Sequence, residues 1–138
     1  MNPSMIAAAT QLTGRVLMSA IFILAGISKI GAYAGTQGYM ESMGVPGILL
    51  PAVILLELGG GLAVLVGWQT RMAAFLLAGF SVLSALIFHA NLGDQTQSIL
   101  FMKNLAMAGG FLFLVASGAG AWSVDARRDT NPVGQVHV

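Results

Sequence analysis

The sequence predicts an all-α fold, an integral membrane four-helix bundle with a short interfacial helix between helices 1 and 2, and three observations predict it. The 138 residues are 57% hydrophobic and only 8% charged, with a mean hydropathy of +0.84, a balance that soluble domains of this size rarely show. Four apolar runs are each long enough to cross a bilayer core of about 30 Å as a helix. One of them, Leu49 to Trp68, carries a carboxylate, Glu57, near its middle. An acid at that depth costs about 2.5 to 3.5 kcal/mol, so other helices must supply it with partners.

Composition also excludes several kinds of chemistry. A net charge of +1 with no basic stripe argues against a nucleic-acid partner. There is no cysteine, so thiol redox chemistry, disulfides and thiolate metal sites are excluded in this chain. The two histidines, one of them in the tail, cannot build a His-rich metal centre, so no metal site is expected.

In chain order, residues 1–13 read as a short, weakly polar leader and 14–117 as the membrane domain, with spans at about 14–31, 49–68, 72–90 and 98–117. Arg15 and Lys29 bracket the first span. Ala32-Tyr33-Ala34 before Gly35 also resembles a signal-peptidase site, but the leader before it has Arg15 as its one basic side chain, which favours a retained span. Between the first two spans, Ala32 to Met43 is too polar to cross. Tyr33, Met40 and Met43 share a helical face, and Gly44 and Pro46 stop the segment. This is the expected interfacial helix, with Tyr33 and Tyr39 as anchors, and a plain loop is the alternative. Trp68-Gln69-Thr70-Arg71 makes a tight turn into the third span, which ends near His89. A polar connection follows, then a fourth span carrying Lys103 and Asn104. Residues 118–138, with Asp125, Arg127, Arg128 and Asp129, read as a polar tail expected to be largely disordered.

Four spans put both termini on one side. Arg15, Arg71, Arg127 and Arg128 share that side, so the positive-inside rule predicts cytoplasmic termini. At about 1.5 Å per residue, Lys29 stands about 21 Å above Arg15, Glu57 about 17 Å above Trp68, Lys103 about 22 Å above Gly118 and His89 about 27 Å above Arg71. Every span therefore brings a polar group to the outer half. Stripes of small residues place them inward: Ser19, Gly26 and Lys29; Glu57, Gly60 and Gly67; Lys103, Gly110 and Ser117.

Lys29, Glu57, His89, Lys103 and Asn104 are thus the expected ligand-binding residues, with Glu57 and His89 as a proton relay. Two lysines against one carboxylate leave a surplus positive charge, which suits an anion or a carbonyl-bearing ring. The plainer reading is an ion-pair lattice of Lys29, Glu57 and Lys103 that fixes helix order. Gly59-Gly60-Gly61 lies inside a span with no lysine after it, so it reads as close helix packing and not as a phosphate loop.

Taken together, Arg15, Gly26-Ile27-Ser28-Lys29, Gly44-Val45-Pro46, Glu57-Leu58-Gly59-Gly60-Gly61, Gly67, Arg71, His89, Phe101-Met102-Lys103-Asn104, Gly109-Gly110 and Ser123-Val124-Asp125 give the chain its resemblance. Over residues 12–125 it resembles the DoxX family of small bacterial four-helix membrane proteins. The resemblance implies an inner-membrane location and work as a membrane subunit or accessory of a quinone-linked oxidoreductase, with quinone as the candidate cofactor. The partners it implies are the lipid bilayer, a soluble or membrane oxidoreductase and a second copy of the chain. Two alternatives stay open: a carrier or binding protein for a small anionic or polar metabolite, and an anchor that docks a soluble enzyme through the tail.

Overall fold

The computed structural model describes residues 2–129, which fold into helices with no strand among them. The first helix, α1, runs Pro3–Gly31, so residues 3–13 are not the separate leader expected but its first turns. Asn2 explains the early start: its side chain accepts from the Met5 N–H at 2.9 Å, and Pro3 is preset for the first helical position. At 29 residues, or about 43 Å, α1 is longer than the bilayer core is thick.

The interfacial segment is a helix, α2 (Tyr33–Ser42), but a different face is buried from the one its apolar residues suggest. Met40 is buried, whereas Tyr33 and Met43 are exposed. The helix is turned by two contacts the sequence does not show. Tyr39 stacks on Phe88 with ring centroids 5.5 Å apart, and the Gln37 amide donates to the Gly47 carbonyl at 3.2 Å.

The second span, α3 (Gly47–Val66), is one continuous rod with an irregular centre. A 3-10 turn over Gly47–Leu49 leads into α-helix, Leu55–Gly59 form a π turn around Glu57, and Gly60–Val66 resume the α-helix. The third span is α4 (Thr70–Phe88) and the fourth α5 (Gln95–Ser117), each within about three residues of the expected bounds. The Asp94 side chain caps α5 through the Gln97 N–H at 3.0 Å.

The rods pack as two antiparallel pairs, α1 on α3 and α4 on α5, joined where α3 meets α4; α1 and α5 touch only lightly. Phe22, Val64, Leu77 and Phe111 fill the core, with Phe22 edge-on to Phe111 at 5.3 Å. Glycines set the close approaches: a Cβ at Gly26 would lie 3.0 Å from Leu58 Cβ, and one at Gly61 would lie 2.9 Å from Ile23 Cγ1. Leu17, Leu24, Leu55 and Phe113 are exposed, which in lipid is the favourable place for them.

The tail through Asp129 is ordered, against expectation, because it satisfies groups that helix ends leave open. It folds back and forms a short helix, α6 (Val124–Asp129). Asp125 Oδ1 accepts from the Gln69 N–H at 2.9 Å and Oδ2 from the Thr70 N–H at 3.0 Å, capping α4 from 55 residues away. Gln69 itself, at φ +47°, provides no side-chain cap. Burial alone would raise the Asp125 carboxyl, but the hydrogen bonds from Thr70 and Gln69 and the charge of Arg128 hold it below the ordinary carboxylate range. The rest of the expected disordered tail, 130–138, lies outside the described residues.

Candidate functional site

Two cations on one side of α1 reach toward α3, and they do different things. Arg15, near the termini, is fully buried. Its Nη1 donates to the carbonyls of Leu65 at 3.1 Å and Val64 at 3.4 Å, and its Nη2 donates to that of Trp122. The first two belong to the C-terminal end of α3, where the helix dipole also favours a cation, and the third to the tail. Gly67 turns the chain out of α3 at φ +74°, and a Cβ there would overlap both Ser123 and the Arg15 guanidinium.

Lys29, close to four turns higher on α1, meets Glu57. Its Nζ lies 2.9 Å from Oε1 and 3.0 Å from Oε2, so the ammonium sits astride the carboxylate. The Glu57 side chain is 3% exposed and that of Lys29 is 28% exposed. The π turn that carries Glu57 is followed by Gly60 and Gly61, which let α3 close on Leu77 of α4 and Ile23 of α1. Single π turns inside longer helices recur at functional sites.

Space opens on both sides of this pair. The larger chamber, about 380 Å³, has Lys29 and Glu57 at its depth, apolar walls that include Val53, Phe80 and Leu83, and Tyr39, Phe88 and His89 at its outer end. The smaller, about 140 Å³, lies between α1 and α5 and is lined on its polar side by Lys29, Glu57, Ser81, Ser84, His89 and Asn104. His89 Nδ1 lies 2.9 Å from Gln97 Oε1. With Nδ1 as the donor of this contact, a neutral ring keeps Nε2 as an acceptor. The Asn104 side-chain amide donates to the Ser81 carbonyl at 3.2 Å.

Four of the five expected residues, Lys29, Glu57, His89 and Asn104, therefore line common space. Lys103 does not. It is exposed and faces a shallow outer groove with Ser98, Ile99, Met102 and Ala106. The rotation of α5 is set by its buried stripe, Ala108, Phe111 and Leu114. Asn104 is one turn above Ala108 and near the centre of that face, whereas Lys103, about 100° from Asn104, stands at its edge and turns outward. With Lys103 turned out, the expected surplus of positive charge is absent: one ammonium faces one carboxylate. Among the described residues no three His, Asp or Glu side chains gather as a metal site would need.

The sequence reading missed Tyr39 as a wall of the chamber, Gln97 as the partner of His89, and Ser81 and Ser84. The last two were legible as hydroxyls three residues apart in an otherwise apolar span. Gln97 was not, because nothing in a polar connection distinguishes one glutamine from its neighbours.

The chain is similar to "Inner membrane protein YqjF" of Escherichia coli, at 56% identity over 114 residues, 83% of this chain and 88% of that protein. It is also similar to "Inner membrane protein YphA" of the same organism, at 35% identity over 124 residues, 84% of this chain and 88% of that one. A shorter match, 34% over 64 residues, 46% of this chain and 48% of the other, is to a Bacillus subtilis protein named "Putative oxidoreductase CatD". No solved structure matches the chain. The family model described as DoxX matches residues 10–90, more than half of the sequence and the part that holds Lys29, Glu57 and His89. A four-span helical membrane protein with that match and with two relatives along most of its length, the chain belongs to the DoxX family.

Proposed function

We propose that the protein is a multi-pass protein of the bacterial inner membrane that serves as a quinone-binding subunit or accessory of an oxidoreductase, with its termini in the cytoplasm and the larger chamber as the binding site. The observation that carries this reading is the neutral Lys29–Glu57 pair at the depth of an apolar chamber. Without surplus charge the chamber offers little to an anion, which in a dry site needs an unmatched cation. It suits instead a neutral ring with polar oxygens. Its volume falls in the range of about 300 to 1,000 Å³ usual for small-molecule sites, and its lining is mostly apolar with a few polar groups, as in such sites. The inner-membrane names of two relatives and the oxidoreductase name of the third support the setting.

A quinone bound there supplies a two-electron, two-proton acceptor, with the electrons delivered by a partner of the oxidoreductase class. The residues of this chain hold and serve it. Lys29 keeps one N–H beyond the two it directs at Glu57, and it can donate to a ring carbonyl. Phe80 and Phe88 give the ring apolar surfaces, and the closed helix packing below the pair keeps out water. His89, at the chamber's outer end and hydrogen-bonded to Gln97, stands where protons pass between the surface and Glu57. Gentle detergent extraction followed by mass spectrometry is expected to find a quinone bound in near-stoichiometric amount, and reduced in Lys29→Met. Protein that neither retains a quinone nor binds an added analogue at tens of micromolar, about −6 to −7 kcal/mol of binding, defeats the reading.

A further inference from the structure

We propose that the larger chamber is loaded sideways from the bilayer, through a gap between α3 and α4 whose two jambs are Leu49 and Leu83, and therefore selects ligands that carry a long apolar tail. This rests on reading the chamber as a quinone site. The route follows from which walls are thick and which are thin. Toward the water at the loop end, α2 lies across the chamber as a roof: its Met40 is buried, and its Tyr39, although 51% exposed, is pinned by its stack on Phe88. Toward the termini, the Glu57 turn and the glycine contacts of Gly60 and Gly61 close the bundle. Between α3 and α4 the wall is one side chain deep. Leu49 and Leu83 both line the chamber, yet they are 46% and 57% exposed, so the same residues are chamber wall and lipid-facing surface.

Chemistry gives the gap its occupant. Val53 and Ile87 continue the apolar lining between the jambs and the interior, and no charged side chain lines the chamber apart from the pair at its depth. A water-soluble ligand gains nothing from such a passage. An isoprenoid chain does, because it can stay in hydrocarbon while its head group reaches Lys29, and each buried methylene favours that arrangement by about 0.8 kcal/mol over exposure to water.

The test uses full-length protein in lipid nanodiscs and two probes, ubiquinone with a long isoprenoid tail and the same benzoquinone ring without a tail, with binding read by quenching of tryptophan fluorescence. Leu83→Trp places bulk in the gap at a lipid-facing position. Because Leu83 is also chamber wall, the variant is expected to weaken binding of the long-tailed quinone roughly tenfold more than that of the tail-free ring. Equal affinities in wild type and variant for the tailed quinone overturn the sideways route but leave the quinone site standing. Failure of wild type to bind either probe overturns the site and the route together. If Leu83→Trp weakens both probes alike, Leu49→Trp on the opposite jamb decides: loss confined to the tailed quinone supports the gap, and no such selectivity overturns it. Ile99→Trp, on the outer face of α5, is the control and is expected to change neither.

Discussion

The two ends of the bundle solve one problem, a cation from α1 beside α3, in opposite ways. At the termini, Arg15 gives both Nη groups to carbonyls, the tail folds over it, and Gly67 and Asp125 lock the turn. A groove of about 560 Å³ at this end opens beside Arg71 and Asp125, while the Arg15 guanidinium is fully buried. At the loop end, Lys29 is paired with a carboxylate, stays partly exposed and has a chamber on either side. A charged group inside a membrane protein is a candidate for chemistry by default. The difference between these two teaches that what separates a fastening from a site is whether the group still borders space that a ligand can enter.

The largest expected effect tests the hollow end. Lys29→Met strands a 3% exposed carboxylate and is expected to cost about 3 to 5 kcal/mol in unfolding titrations from mixed micelles. Glu57→Leu should cost less, because Lys29 at 28% exposure can turn its ammonium toward water. The double change is expected to recover most of the loss, and additive losses would show that the two groups do not act as a pair.

Next comes the fastened end. Gly67→Ala forces a side chain into a left-handed turn already in contact with Ser123 and Arg15, and should cost at least about 1 to 3 kcal/mol. Because Gly67 is remote from both chambers, ligand binding should survive as long as the protein stays folded. A loss of binding without loss of stability would erase the distinction between the two ends.

How much of this was legible in the sequence follows the same division. Height along a helix can be counted, so Lys29, Glu57 and His89 could be placed at one end of the bundle from residue numbers alone. Rotation about a helix axis cannot be counted when most of the span is apolar. That is why Lys103 and Asn104, one residue apart, were both taken as inward when only Asn104 lines the space between the helices. Met40 is buried and Tyr33 exposed for a comparable reason, since Tyr39 and Gln37 orient α2 through partners outside the helix, Phe88 and Gly47. The tail was hardest to read. Its composition is that of a disordered end, and the order of Asp125 comes from two N–H groups that become available only once α4 exists.

That capping contact gives a prediction with a pH sign. The folded state holds the Asp125 carboxyl below its ordinary range, so its stabilisation is complete above the unfolded-chain value of about 3.9 and is lost as pH falls through the lower folded value. Asp125→Asn should cost about 0.5 to 2 kcal/mol near neutrality, the range for a lost helix cap. It should also remove that part of the acid sensitivity, so that wild type and variant converge in melting temperature at low pH. Divergence on acidification would show that Asp125 is not the cap described. The smallest effect is expected at Asn104, whose hydrogen bond to the Ser81 carbonyl is a lone polar contact between membrane helices. Asn104→Leu should cost about 0.6 kcal/mol, the average for such bonds.

The most direct test of the central claim, that the Lys29–Glu57 pair marks a site and Arg15 a fastening, is ligand-induced stabilisation measured in three proteins side by side. Thermal melts in nanodiscs are recorded with and without long-tailed ubiquinone for wild type, for Gly67→Ala and for Ser84→Phe, which places a ring in the space that Ser84 shares between the two chambers. At a ligand concentration about 100-fold above its Kd, stabilisation of about 2.7 kcal/mol is expected. The account predicts that wild type and Gly67→Ala rise by the same increment from different baselines, while Ser84→Phe does not respond. Equal responses in wild type and Ser84→Phe, with loss of the response in Gly67→Ala, would contradict it.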